Sequence, residues 1–158
     1  AGLPSRPWYV ERAFPGASPW KGAALNGFMV SLLNLSATAP LLASRPAPLT
    51  NGPRALRTRP RAVGSAGAAA LADRLAQAGE VTLKRYLPLH DTGTWSLYGL
   101  LTPGMPWRSD VADEVYHCYH VRLLRQLDAQ APRHRFDAVA RRWEGYARAA
   151  GVGCASAR

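Results

Sequence analysis

Acidic residues are scarce in this chain of 158: there are ten against twenty basic ones, and none stands between Glu11 and Asp73. Lysine is scarcer still, because apart from Lys21 and Lys84 every basic residue is arginine. The formal net charge is +10, a field that attracts polyanions such as nucleic acid, an anionic membrane surface or an acidic polysaccharide. Arginine suits carboxylate and sulfate groups, since its planar fork bonds two oxygens at once. The densest run, "RPAPLTNGPRALRTRPRAVG", sets Arg45, Arg54, Arg57, Arg59 and Arg61 among prolines and glycines in a basic loop over 44–63. A solvated loop in an arginine-rich chain accounts for that run at least as well, so charge alone does not name a partner.

Other absences narrow the field. Two cysteines, Cys118 and Cys154, form no CxxC pattern and leave the redox compartment open. No Gly-rich phosphate loop and no G-x-S-x-G elbow occurs. Basic residues interleave only weakly with aromatics and no nucleic-acid motif is present, so nucleic acid is not the expected partner. The apolar run 24–42 is interrupted by Asn26, Asn34, Thr38 and Pro40, which makes it a core helix rather than a membrane span. In "YHCYH", residues 116–120, His117 and His120 stand at i, i+3, a spacing metal sites use. No third ligand accompanies them at a recognisable distance, so packed or hydrogen-bonded histidines are expected, with no metal and no cofactor. The chain opens on Ala1 with no signal-peptide pattern and is expected to be part of a longer one.

What is present is a 47% hydrophobic chain, long enough to bury a core as one domain over 1–158. Residues 1–22, rich in Pro and Trp, read as an irregular lining segment. A helical pattern over 23–39 ends near Pro40. A second, over 65–87, carries Ala68, Leu71, Leu75 and Ala78 at near-helical spacing. A third starts around Asp110, a residue able to cap it, and places Tyr116, His120, Leu123 and Leu127 on one buried stripe. A fourth, over 134–150, shows Phe136, Val139, Ala140, Trp143, Tyr146 and Ala150 on one face and stops at Gly151. Four helices with long loops and almost no strand make an all-α fold whose apolar stripes must be buried against neighbours.

Between the second and third helices lies "LPLHDTGTWSLYGL", residues 87–100. Asp91-Thr92-Gly93 is turn chemistry, and the short, aromatic, β-like segment near 94–100 that follows carries Tyr98 on a loop. Loops on a rigid scaffold are where reactive side chains often sit. Tyr98 is therefore either packing or chemistry.

Four separated motifs, "LNGFM" (25–29), "LPLHDTGTWSLYGL" (87–100), "VYHCYHVRLLRQL" (115–127) and "RFDAVARRWEGY" (135–146), occur in this order. Together they resemble the C-terminal domain of the D-glucuronyl C5-epimerase family, and the likeness runs from about Trp8 to Tyr146. The resemblance implies a partial α/α-toroid-like helical domain. It implies inversion of C5 of D-glucuronate to L-iduronate within an acidic, glucuronate-containing polysaccharide of the heparan sulfate or heparosan type. It implies active-site tyrosines at Tyr98 and Tyr116, with Tyr9, Phe14, Asn26, Leu101, Arg108 and His120 expected around the substrate. Too few helices are present to close a toroid, so one apolar side is expected to be covered by a second copy or by a preceding domain.

The chemistry is coherent with that implication. The C5 proton lies α to a carboxylate, so its removal adds charge to an anionic group. A site must neutralise that charge, ideally with Arg, and supply a base on one face and an acid on the other. A tyrosine titrates at about 10 when unperturbed, so the base role needs cationic neighbours whereas the acid role does not. Two departures from the family pattern stand out. Leu101 occupies the family's carboxylate-binding Arg position, and Phe14 the position of a third tyrosine. Arg108, or failing that Arg12, is expected to supply the missing cation, and Tyr9 with Glu11 the missing polar groups. Without them the chain would be a degenerate relative that binds acidic glycan or a partner chain without turnover.

Overall fold

The opening Leu25-Asn26-Gly27-Phe28-Met29, with Leu32 one turn on, sets apolar side chains at three- and four-residue spacing, and it folds as helix α1, Leu25–Ala43. The computed structural model describes residues 8–9, 24–44, 64–100 and 110–154. Among these, α1 is followed by α2 (Ser65–Tyr86), α3 (Glu114–Gln130) and α4 (Phe136–Ala149), with short 3-10 turns at Leu87–His90 and Pro132–His134. No strand forms among the described residues. The β-like segment expected near 94–100 is instead a bent loop held by isolated antiparallel bridges, Asp91 to Ser96, Leu97 to Val111 and Ala24 to Gly99. α2 packs on α1, α1 on α3 and α3 on α4, so the helices lie side by side in that order. Their shared core is built from Leu25, Phe28, Met29, Leu32, Leu83, Leu124, Leu127, Phe136 and Trp143, all nearly or wholly inaccessible to solvent.

Four details differ from the sequence reading, each for a physical reason. α1 does not stop at Pro40 but runs through it to Ala43. The proline lacks the N–H that would bond one turn back, yet it lies on an exposed turn where water can satisfy the freed carbonyl. α3 begins at Glu114 rather than near Asp110, and its cap is Asp113, whose carboxylate accepts the Tyr116 amide at 2.8 Å. On α3 the structure buries His120, Leu123 and Leu127 as expected, together with His117, Val121 and Leu124, whereas Tyr116, the first residue of the expected stripe, is 37% exposed.

The fourth concerns α2. It buries Ala69, Ala72, Ala76, Gly79 and Leu83 while Leu71 is 45% exposed. Small side chains let α1 approach closely, and the approach is tightest at Gly79. A Cβ there would stand 2.2 Å from Leu32 Cδ2 and 2.9 Å from the Tyr9 ring. Gly79→Ala should therefore destabilise the domain. The added methyl overpacks the core by roughly 1–3 kcal/mol, against a helix-propensity gain of about 1 kcal/mol. Chemical denaturation measures the balance, and a variant more stable than the parent would refute the close approach.

α4 ends as its sequence suggests. Gly151 adopts φ +77, the Val152 amide bonds Ala147 O at 2.8 Å, and the Gly151 amide bonds Arg148 O at 3.1 Å. This double bond pattern closes the helix and turns the chain back. The turn delivers Cys154 to Cys118 near the start of α3, where the two form a disulfide. Two cysteines alone had not indicated the pairing. The end of α4 is thereby fixed beside the start of α3, next to Tyr116 and His117.

Candidate active site

The loop 90–100 is built by its own turn residues and then fastened to three helices. Asp91 Oδ1 accepts the Gly93 amide at 2.9 Å, and Gly93 sits at φ +86, which only glycine adopts without cost. Thr92 closes the turn, its hydroxyl accepting the Trp95 amide at 2.8 Å. The other carboxylate oxygen of Asp91 accepts the Trp143 indole N–H at 2.9 Å, and Tyr146 donates its hydroxyl to Oδ1 at 3.3 Å. Arg142 also pairs with Asp91. Burial would raise the Asp91 pKa, but these donors and the arginine outweigh it and hold the carboxyl below its ordinary value. Asp91, read from sequence as a turn residue, is thus also the anchor of the loop on α4.

Five residues on, Ser96 is fully buried and meets both histidines of α3. His117 Nε2 lies 2.9 Å from the Trp143 carbonyl oxygen, which can only accept, so that nitrogen carries the proton. Its Nδ1 then accepts from the Ser96 amide at 3.2 Å and from the Ser96 hydroxyl at 2.8 Å. With its proton so used, Ser96 Oγ accepts from His120 Nδ1 at 3.0 Å. Trp95 stacks on the His117 ring with centroids 3.8 Å apart and donates its indole N–H to Ala112 O at 2.7 Å. The histidines expected to be packed or hydrogen-bonded are both, and they hold the loop.

Tyr98 is positioned by these restraints. Its carbonyl accepts the Leu25 amide at 2.8 Å and its amide donates to Asp110 O, while Ser96 O accepts the Ala112 amide at 3.0 Å. The result brings Tyr98, from the loop, against Tyr116, from the first turn of α3. Their rings stand edge to face, centroids 4.7 Å apart and planes inclined by 70°. Tyr98 is half-buried and Tyr116 exposed. Rings in contact at this distance leave no room for a pyranose between them, so a substrate would have to lie across the pair.

Behind the tyrosines lies a layer of neutral, buried imidazoles. His90 donates Nδ1–H to Leu97 O at 3.3 Å. Burial pushes His90 down to about 4. His120 falls to about 3, through burial first and then repulsion from His90 and His117. The Nε2 atoms of His90 and His120, together with Asn26 Oδ1 and Trp8 Nε1, have no hydrogen-bond partner among the described residues. Trp8 stacks on Phe28 at 4.2 Å and on His90 at 5.8 Å, so its ring is seated on this layer.

The other expected residues are dispersed. Asn26 is buried at the start of α1. Tyr9 directs its hydroxyl to Leu75 O at 2.8 Å, away from the tyrosine pair's loop, and burial raises its pKa. His120 lies on the helix that carries Tyr116, one turn deeper and fully buried. Phe14, Leu101 and Arg108, as well as Arg12, Glu11 and the basic loop beyond Ser44, lie outside the described residues. Sequence reasoning missed Ser96, His90 and the Asp91–Trp143–Tyr146 cluster. The last had a signal, two aromatic donors at i, i+3 on α4; a buried serine in a loop has none.

The chain is 36% identical over 76 residues to the D-glucuronyl C5-epimerase of Caenorhabditis elegans, a stretch that covers 48% of this chain and 12% of that relative. It thus corresponds to a small part of the relative's length. No solved structure matches significantly. A family model described as the D-glucuronyl C5-epimerase C-terminus matches residues 6–145, and with the four motifs on their expected elements the chain belongs to that family.

Proposed function

We propose that this domain carries out uronosyl C5-epimerisation, inverting D-glucuronate to L-iduronate within an acidic polysaccharide, with Tyr98 and Tyr116 as the acid–base pair. The observation that supports this most is the meeting of the two tyrosines, one from a loop and one from a helix, at 4.7 Å on an accessible surface. A uronate lying across the pair sets its C5 between the two phenol oxygens rather than between the two rings. One tyrosine, as phenolate, takes the C5 proton, and the electron pair of the broken C–H bond delocalises into the adjacent carboxylate. The other delivers its hydroxyl proton to the opposite face of C5. One C–H bond breaks and one forms, so no oxidant or reductant enters. The carboxylate gains charge in the transition state and needs a cation beside it. Leu101 does not supply one, and on this reading Arg108 does, with Arg12 as the second candidate.

The helical layer fits this reading as an arc of the α/α toroid implied by the family resemblance. Leu41 on α1 and Leu71 and Val81 on α2 are exposed apolar residues that a second copy or a preceding domain would cover. A second reading, a relative that binds glycan without turnover, is favoured by the loss of the family Arg at Leu101 and of the family tyrosine at Phe14.

The tyrosines separate the two readings. Tyr98→Phe and Tyr116→Phe keep the rings and hence the edge-to-face contact, so each should melt within a few degrees of the parent. Each should slow deuterium entry at C5 of heparosan by at least about a hundredfold, the size of a lost acid–base group. Full exchange in either variant would remove that tyrosine from the mechanism. Retained binding with no exchange in the parent would favour the non-catalytic relative.

A further inference from the structure

Away from the tyrosines, the end of α2 and the start of α4 enclose a cleft of about 300 Å³. It is lined by Leu87, Pro88, Phe136 and Val139, with His134 and the basic Lys84, Arg135 and Arg142 beside them. We propose that this cleft is a second binding subsite, for a carboxylate or sulfate group carried on a sugar ring. Leu87 and Phe136 are almost wholly buried, so the apolar contact for the C–H face of a pyranose falls to Pro88 and Val139, and an arginine fork suits a two-oxygen anion.

Three observations carry the assignment. First, the positive charge of the cleft is cancelled only at Arg142. The nearest acids are already paired, Glu80 with Arg133 at 2.7 Å and Asp91 with Arg142, whereas Lys84 and Arg135 have no carboxylate partner among the described residues. Second, the charge comes from side chains and not from the start of α4, because the Asp137 amide there is taken by Asp128 Oδ1 at 3.1 Å. Third, Arg135 holds the left-handed conformation, φ +57, where glycine is the ordinary occupant. A cationic side chain thus stands at a position whose backbone favours glycine.

The subsite is distinct from the tyrosine pair. The disulfide sets Tyr116 near the end of α4, and the cleft lies at its start, so on the order of 20 Å of helix separates them. A single monosaccharide cannot reach both sites, whereas one chain of an acidic polysaccharide can. The inference rests on the reading of the substrate as such a polymer.

The test is an NMR titration of the 158-residue chain with heparosan oligosaccharide at fixed salt, with duplex DNA as the competing polyanion. Resonances of Phe136 and Lys84 should shift as well as those near Tyr116. Arg135→Gly removes the guanidinium and relieves the backbone, so it should melt no lower than the parent yet bind about tenfold more weakly, the loss of one charge-assisted contact. Lys84→Gln should weaken binding in the same direction. Shifts confined to the tyrosine region, parent-like affinity in both variants, or equal affinity for DNA at the same salt would overturn the proposal. Its failure is separable from that of the epimerase reading. Cleft shifts without C5 exchange would leave the subsite standing alone, and C5 exchange with a silent cleft would do the reverse.

Discussion

Cys154→Ser should lower the melting midpoint of this domain by roughly 10–15 °C, the shift that corresponds to about 4 kcal/mol in a domain of this size. The disulfide between Cys118 and Cys154 spans a sequence separation of 36 residues. Closing a loop of that length restricts the unfolded chain by about 4 kcal/mol in the chain-entropy account. Among the described residues, little else holds the chain beyond α4. Gly151 ends the helix, Val152 returns one backbone bond, and Cys154 is then tied to the helix that carries Tyr116 and His117. Whole domains are stable by only about 5–15 kcal/mol, so the loss is a large fraction of the total. Reducing agent should move the parent to the midpoint of the variant. Coincident melts of oxidised parent, reduced parent and Cys154→Ser would show that the crosslink contributes nothing.

The second large effect is acid lability centred on the imidazole layer. His90 and His120 fold as neutral groups, with pKa values of about 4 and about 3, whereas in the unfolded chain histidine titrates near 6.5. Between those limits the unfolded chain binds more protons than the folded one, so stability falls as pH drops from about 6.5 toward 4. Above about 7 both states are neutral at these positions and the effect vanishes. Each tenfold weakening of proton binding by the fold corresponds to about 1.4 kcal/mol, so the two histidines together destabilise the acid form by several kcal/mol. Asp91 adds a loss in the same direction at lower pH, since its depressed carboxyl contributes stability that disappears only as it protonates. Melts followed by circular dichroism should give a level midpoint from about pH 7 to 8 and a steep decline below about 6.5. A midpoint unchanged down to about pH 4.5 would mean that the histidines are not buried as described.

How much of this was legible in the chain differs by element. The four helices follow from apolar periodicity, and the end of α4 from Gly151, because both signals are local. The register of burial was not legible in α2, and in α3 it was legible except at the first turn. Periodicity weighs Leu71 and Leu75 above Ala72 and Ala76, yet a close helix pair chooses the small-residue face, as Gly79 against Leu32 shows. In α3 the expected stripe holds at His120, Leu123 and Leu127, but Tyr116 at its start is exposed while the neighbouring His117 is buried, where it meets Ser96 on a distant loop. The helix start at Asp113 rather than Asp110 depends on the Tyr98 amide claiming the Asp110 carbonyl, a tertiary contact. The nearness of Tyr98 to Tyr116 followed from motif resemblance, but their edge-to-face contact and the anchoring of the loop by Asp91 and Ser96 did not.

Whether this tyrosine pair acts on C5 of a uronate is decided by incubating heparosan with the chain in heavy water and reading the product by mass spectrometry and proton NMR. Deuterium should enter C5 of glucuronate together with the appearance of iduronate. Exchange should be faster in Leu101→Arg, which restores the arginine of the family pattern. Absence of C5 deuterium in both the parent and Leu101→Arg, with the fold intact, would contradict the acid–base role of the pair.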